Sequence, residues 1–207
     1  MENTCIMLTT PFYTPVDLRC IFEESDLKGE GVVLDSHITV LYAKELEIPK
    51  ETILKDTITI LGDDFDEFEE MLKRDEKFSV MNLFSLDYFE GQDSDYVILR
   101  MKKEGQGWNH LEIMNKALSR KYEVKSDFSE YNPHITLAEV VKGSAKKYLE
   151  SKKLQLILED SKISVDDIIV SYGGPKAEDP WKQYHVTNYH ALDRFFKLQN
   201  EKNISLF

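Results

Sequence analysis

Two stretches decide the reading of this chain: Ser36-His37-Ile38-Thr39-Val40-Leu41-Tyr42 and Pro133-His134-Ile135-Thr136-Leu137-Ala138-Glu139. Both read His-Ile-Thr followed by an aliphatic residue, and the histidines lie 97 positions apart. That spacing fits an internal duplication of about half the chain. Each stretch centres on a β-branched Ile-Thr pair followed by aliphatic residues, which predicts a strand. Side chains on a strand alternate faces with a period of two. His and Thr at i and i+2 therefore share one face, and Ile and the next aliphatic residue point to the other, where they can be buried. Each copy thus offers an imidazole and a hydroxyl from a rigid element backed by core, which is what a catalytic group needs.

Two such strands facing each other would set two imidazoles and two hydroxyls around one small cavity. Imidazole has a reference pKa of about 6.5, so near neutrality one ring can be neutral and the other charged. That is the requirement for a paired general base and general acid. The hydroxyls can hydrogen-bond the non-bridging oxygens of a phosphate. His37, Thr39, His134 and Thr136 are the candidate catalytic residues. The scheme calls for no metal and no cofactor, and no carboxylate cluster suited to a metal stands beside the motifs. The sequence has no GxxxxGK, GxGxxG, GxSxG or HExxH. His185-Val186-Thr187 is a third His-x-Thr, but Asn188 follows it and breaks the apolar alternation, so it reads as an edge-strand feature outside the pair. His110 and His190 lack such context and are expected on the surface.

The doubled His-x-Thr-x pattern resembles the 2H phosphoesterases, named for two His-x-(Ser/Thr)-x motifs, one in each of two pseudo-symmetric lobes. RNA 2′,5′-ligase-like proteins and several cyclic phosphodiesterases belong to that group. The resemblance implies an α+β, bilobal fold with antiparallel sheets facing a central groove and helices outside. It implies metal-independent phosphodiester chemistry, with His37 and His134 as the acid/base pair and Thr39 and Thr136 on the phosphate. It leaves open which histidine is the base. The stretch His37-Ile38-Thr39-Val40-Leu41-Tyr42-Ala43-Lys44 is similar to the phage anti-CBASS nucleases, small members that destroy bacterial cyclic oligonucleotide signals. The expected substrate is accordingly a small cyclic nucleotide or cyclic oligonucleotide. The alternatives are an enzyme acting on RNA 2′,3′-cyclic ends or 2′,5′ linkages, and a sponge that binds a cyclic nucleotide without cleaving it.

Composition agrees with a small ligand. Lys and Arg number 26 against 38 Asp and Glu, a formal charge of −12. A protein gripping long nucleic acid normally carries a basic face, so no long nucleic acid is expected. The acidic block Asp63–Glu70 contains Phe65 and Phe68, with Leu72 beyond it, at helical spacing, so it reads as a helix with one buried stripe and a solvated face. Tyr13, in a turn bracketed by Pro11 and Pro15, and Trp181, after the breaker-rich 173–180, are candidates to stack on bases. Arg19 and Lys176 are candidates for local positive charge.

The 207 residues are enough for a core without staples and read as one bilobal catalytic domain, 1–207. Cys5 and Cys20 are too few for a disulfide framework and read as reduced thiols. No run reaches the ~18–20 apolar residues of a membrane span, and the first residues lack a signal peptide's basic region. Cytoplasm is expected, the host's if the chain is viral.

Strands are expected at Cys5–Thr10, Ile38–Tyr42, Phe78–Phe89, Tyr96–Met101, Ile135–Val141, Leu154–Leu158, Ile163–Tyr172 and Tyr184–Thr187. Helices are expected from Pro49 to Leu61, over Asp64–Arg74, Trp108–Lys121 and Ala145–Lys152, and over Ala191–Leu198. Strands and helices mix without a regular βαβ alternation, which favours α+β.

Overall fold

The computed structural model describes residues 3–44, 46, 48–73, 79–103, 105–124, 130–173 and 182–185. The strands are β1 (Asn3–Thr9), β2 (Phe12–Tyr13), β3 (Leu27–Val32), β4 (His37–Ala43), β5 (Phe84–Glu90), β6 (Ser94–Met101), β7 (His134–Val141), β8 (Lys162–Ile163), β9 (Asp167–Gly173) and β10 (Lys182–His185). The helices are α1 (Lys50–Lys73), α2 (Val80–Leu83), α3 (Gln106–Lys121), α4 (Ala145–Leu149) and α5 (Lys152–Glu159).

Two four-stranded antiparallel sheets form the frame. The first has the order β10-β9-β1-β4 and the second β3-β7-β6-β5, with β2 and β8 making a separate two-stranded ribbon. Each motif occupies the start of one strand, His37 opening β4 and His134 opening β7. The two lobes expected from the duplicated motif correspond to these sheets, with two differences. β4 is an edge strand, whereas β7 lies between β3 and β6. The sheets are also interleaved along the chain: β3 from the N-terminal part joins the second sheet, and β9 and β10 from the C-terminal part join the first.

Alternation along the strands sets the core. Ile38 and Val40 of β4, Ile135 and Leu137 of β7, and Ile6 and Leu8 of β1 are essentially inaccessible, while His37, Thr39, His134 and Thr136 are half-buried on the opposite faces. α3 packs on β4 and on α1 through Leu111, Met114 and Leu118, all fully buried.

Several sequence expectations are corrected: the helix expected at Ala145–Lys152 ends at Leu149, and the strand expected at Ile163–Tyr172 is split between β8 and β9. The two helices expected at 49–61 and 64–74 are one 24-residue helix, α1. Its apolar stripe (Ile53, Ile58, Leu61, Phe65, Phe68) runs past Gly62 without a break, and burying it outweighs the ~1 kcal/mol cost of a glycine inside a helix. Leu154–Leu158, expected as a strand, is helix α5. The Ser151 hydroxyl caps it by accepting from Leu154 N–H at 3.3 Å, and Leu154, Ile157 and Leu158 are buried at helical spacing. The strand expected from Phe78 begins only at Phe84, because Ser79 caps the short helix α2 ahead of it through Met81 N–H. The expected helix Ala191–Leu198 lies outside the described residues. Among the described residues no helix is long and apolar enough to cross a membrane.

Candidate active site

β4 and β7 pack against each other across the two sheets, and this contact brings the motifs together. Tyr131, just ahead of β7, donates its hydroxyl to the Thr39 carbonyl at 3.0 Å. Asn115 of α3 donates its amide to the next carbonyl, Val40, at 2.7 Å. Edge strand β4 thus has two of its carbonyls occupied by side chains, which blunts the edge and ties it to both neighbours.

The two imidazoles are held in the same way. The Nδ1 of His37 lies 3.2 Å from the carbonyl of Asp35, and the Nδ1 of His134 lies 2.8 Å from the carbonyl of Asn132. Both partners stand two residues before the histidine. A carbonyl only accepts, so each Nδ1 carries the hydrogen and each Nε2 is left as the working nitrogen. The His134 ring feels the charge of His37. The pKa of His134 lies below the usual histidine value, chiefly because of burial; the Asn132 carbonyl opposes the shift, and the charges of Arg100 and His37 add to it.

The threonines differ. The Thr39 hydroxyl lies 3.9 Å from the Cys5 sulfur, a thiol that burial pushes up to about 11. The Thr136 hydroxyl has no hydrogen-bond partner among the described residues.

Sequence reasoning missed the cation of this site. Arg100 stands directly across the β6–β7 ladder from His134. Its guanidinium lies 4.7 Å from the centre of the Phe89 ring, and that ring meets the His134 ring edge-on, centroids 4.7 Å apart. The Arg100 Nε donates to Asp87 at 2.5 Å. The available signal was a lone arginine within the apolar run Val97-Ile98-Leu99-Arg100-Met101, but strand register alone places it beside His134. Arg19, named instead, is turned back on Asp17, to which its Nε and Nη2 donate at 2.6–3.0 Å. Lys176 lies outside the described residues, as does Trp181. Tyr13 sits on the β2–β8 ribbon, 60% exposed, without hydrogen bond or ring contact to any of the four motif residues.

His185 ends β10, the edge strand of the first sheet, as expected; Val186, Thr187 and His190 lie outside the described residues. The Nδ1 of His185 is 3.3 Å from an Asp167 carboxylate oxygen. His110 is not the surface residue expected. Helix α3 presses it against α1, where its side chain is 17% exposed and its Nδ1 lies 3.7 Å from both an Asp64 and a Glu67 oxygen. These three side chains are the one cluster with metal-ligand chemistry among the described residues. They belong to the helices, whereas the motif residues belong to the sheets. A cavity of about 200 Å³ lined by Phe12, Arg19, Ser36 and Leu137, among others, contains none of the four motif residues.

No protein-family model and no curated protein sequence matches the chain. Among solved structures it is similar to a phosphoesterase (14% identity, 87% of this chain and 99% of that one, TM-score 0.41). It is similar to apo LigT of E. coli (14% identity, 91% and 100% covered, TM-score 0.41). It is also similar to Usb1 of Kluyveromyces marxianus (10% identity, 89% and 98% covered, TM-score 0.42).

Proposed function

We propose that the chain is a 2H-type phosphodiesterase that cleaves small nucleotide phosphodiesters, cyclic oligonucleotide signals foremost, by acid/base catalysis between His134 and His37. The observation that carries this reading is the twinned imidazole. Two rings on two packed strands have the same Nδ1–carbonyl clamp, and the charge of His37 acts on His134.

The clamp is common to both rings, so the burial of His134 is what favours one division of the roles. His134 is the ring whose neutral form is favoured, so its Nε2 takes the proton from a ribose 2′-hydroxyl. The 2′-oxygen bonds to phosphorus, the P–O5′ bond breaks, and the His37 Nε2–H delivers its proton to the departing 5′-oxygen. The products are a 2′,3′-cyclic phosphate and a 5′-hydroxyl. In a second turn His37 takes a proton from water as the water oxygen bonds to phosphorus, the P–O2′ bond breaks, and His134 gives its proton to the departing 2′-oxygen, which leaves a 3′-phosphate and restores both histidines. The hydroxyls of Thr39 and Thr136 and the guanidinium of Arg100 hold the phosphate oxygens. Arg100 gives an acidic chain its local attraction for an anion.

The test is to incubate the protein with cyclic di- and trinucleotides, 2′,3′-cyclic nucleotides and 2′,5′-linked dinucleotides in EDTA and weigh the products. Cleavage with loss of at least ~10²-fold rate in both His37→Ala and His134→Ala supports the reading. Full activity in either variant, or recovery of every ligand intact, refutes it.

A further inference from the structure

Strand register carries His185 onto the face that bears the motif of the first sheet. His37 pairs with Thr9, and Thr9 with Asp167; Thr39 pairs with Met7, Met7 with Ile169, and Ile169 with His185. Directly paired residues point to the same side of a sheet. The alternate residues Ile38, Leu8 and Ile168 belong to the hydrophobic core, so the row that includes His185 and Asp167 faces away from it, with His37 and Thr39.

Asp167 is unusual on that face. Its side chain is only 9% exposed, a costly place for a carboxylate without partners. One oxygen accepts the N–H of Ile168 at 2.8 Å, and the other faces the His185 Nδ1 at 3.3 Å. Asp166 adds further negative charge nearby. An imidazole held at Nδ1 by a buried carboxylate presents Nε2 outward, and once protonated it is a cation with a fixed donor. The His185 side chain is half exposed, so that donor is reachable.

We infer that His185, positioned by Asp167, is an anion subsite that holds a second phosphate of the substrate. The inference rests on the phosphodiesterase reading above and narrows it to substrates larger than a mononucleotide. The spacing supports this: His185 is three strands from Thr39, on the order of 14 Å at about 4.8 Å per strand. Both side chains stand on the same face, so a ligand lying along that face would bridge the gap with roughly one or two nucleotide units. A 2′,3′-cyclic mononucleotide has its only phosphate at the histidine pair and cannot use the subsite.

The probes are the dinucleotides ApA, pApA and ApAp, which share one cleavable diester and differ in a distal phosphate. The readout is kcat/KM for each phosphorylated dinucleotide divided by that for ApA. His185→Ala should lower the better of the two ratios about tenfold, the worth of one charge-assisted hydrogen bond. His185→Lys, which keeps a cation, should restore most of it. An unchanged ratio in a folded His185→Ala protein overturns the subsite. The same ratios are measured by calorimetric binding to the His134→Ala protein, so the two readings fail separately. Absence of turnover in the wild type with a His185-dependent preference in binding removes the phosphodiesterase and keeps the subsite. No His185 dependence in binding removes the subsite alone.

Discussion

The Tyr131 hydroxyl donates to the carbonyl of Thr39 at 3.0 Å, so the segment leading into one motif strand is anchored on the backbone of the other. The bond lies three residues ahead of His134 and two residues beyond His37 in sequence. It ties the backbone of β4 to the segment that carries the second histidine.

Tyr131→Phe keeps the ring and removes that bond. The expected cost is about 0.5–1.5 kcal/mol in stability, the net worth of one hydrogen bond. The catalytic rate should fall while both histidines remain. Urea unfolding and turnover of any cleaved substrate check this, and wild-type behaviour in both would show that the bond does not hold the strands in register.

The histidine pair predicts a pH dependence with a definite sign. His134 has a depressed pKa, so as the base it stays neutral down to below about 6.5, and the acid limb of kcat/KM lies below that value. Arg100→Gln removes one cause of the depression and should move both the limb and the His134 NMR titration to higher pH. Stability follows the same sign. Below about 6.5 the unfolded chain takes up protons that the folded His134 refuses, so stability drops as pH falls through the folded pKa, and His134→Ala abolishes that slope.

The two thiols should separate cleanly. Burial pushes the Cys5 thiol to about 11, whereas Cys20 is exposed. At pH 8 only about one Cys5 in a thousand is a thiolate, the reactive form. A thiol reagent should therefore modify one equivalent quickly in the native protein and two in denaturant. Two fast equivalents in the native state would contradict the packing of Cys5 against Thr39.

Gly29 in β3 has φ of +55°, and a Cβ there would come within 2.0 Å of a Glu139 carboxylate oxygen. The Ser94 hydroxyl holds that carboxylate at 2.7 Å. Gly29→Ala should destabilise by more than about 1 kcal/mol, from the left-handed backbone and the displaced glutamate together. In the double variant with Glu139→Ala only the backbone cost remains, which thermal melting of the two proteins will resolve.

The sequence made some of this legible and hid the rest for physical reasons. Period-two alternation is local, so the sequence alone placed His37, Thr39, His134 and Thr136 on the faces of two strands that turn away from the core. The stripe Leu111, Met114, Leu118 likewise announced α3. Arg100 and Asp167 could not be found that way. Each matters because of a histidine on a neighbouring strand, directly opposite for Arg100 and diagonal for Asp167, and register between strands leaves no mark on either strand alone. Leu154–Leu158 misled because a short apolar run has no period long enough to distinguish a strand from one buried turn of helix, and the Ser151 cap settled it. His110 misled because its burial depends on α1 lying against α3.

The exchange of strands between the sheets has a consequence for any attempt to divide the molecule. A cut between the motifs, for instance in the loop after Met101, leaves an N-terminal piece holding β3 without β7, and a C-terminal piece holding β9 and β10 without β1. Neither fragment owns a complete half. A two-piece version of this protein would have to regain both imidazoles in a single joint assembly step, or regain neither.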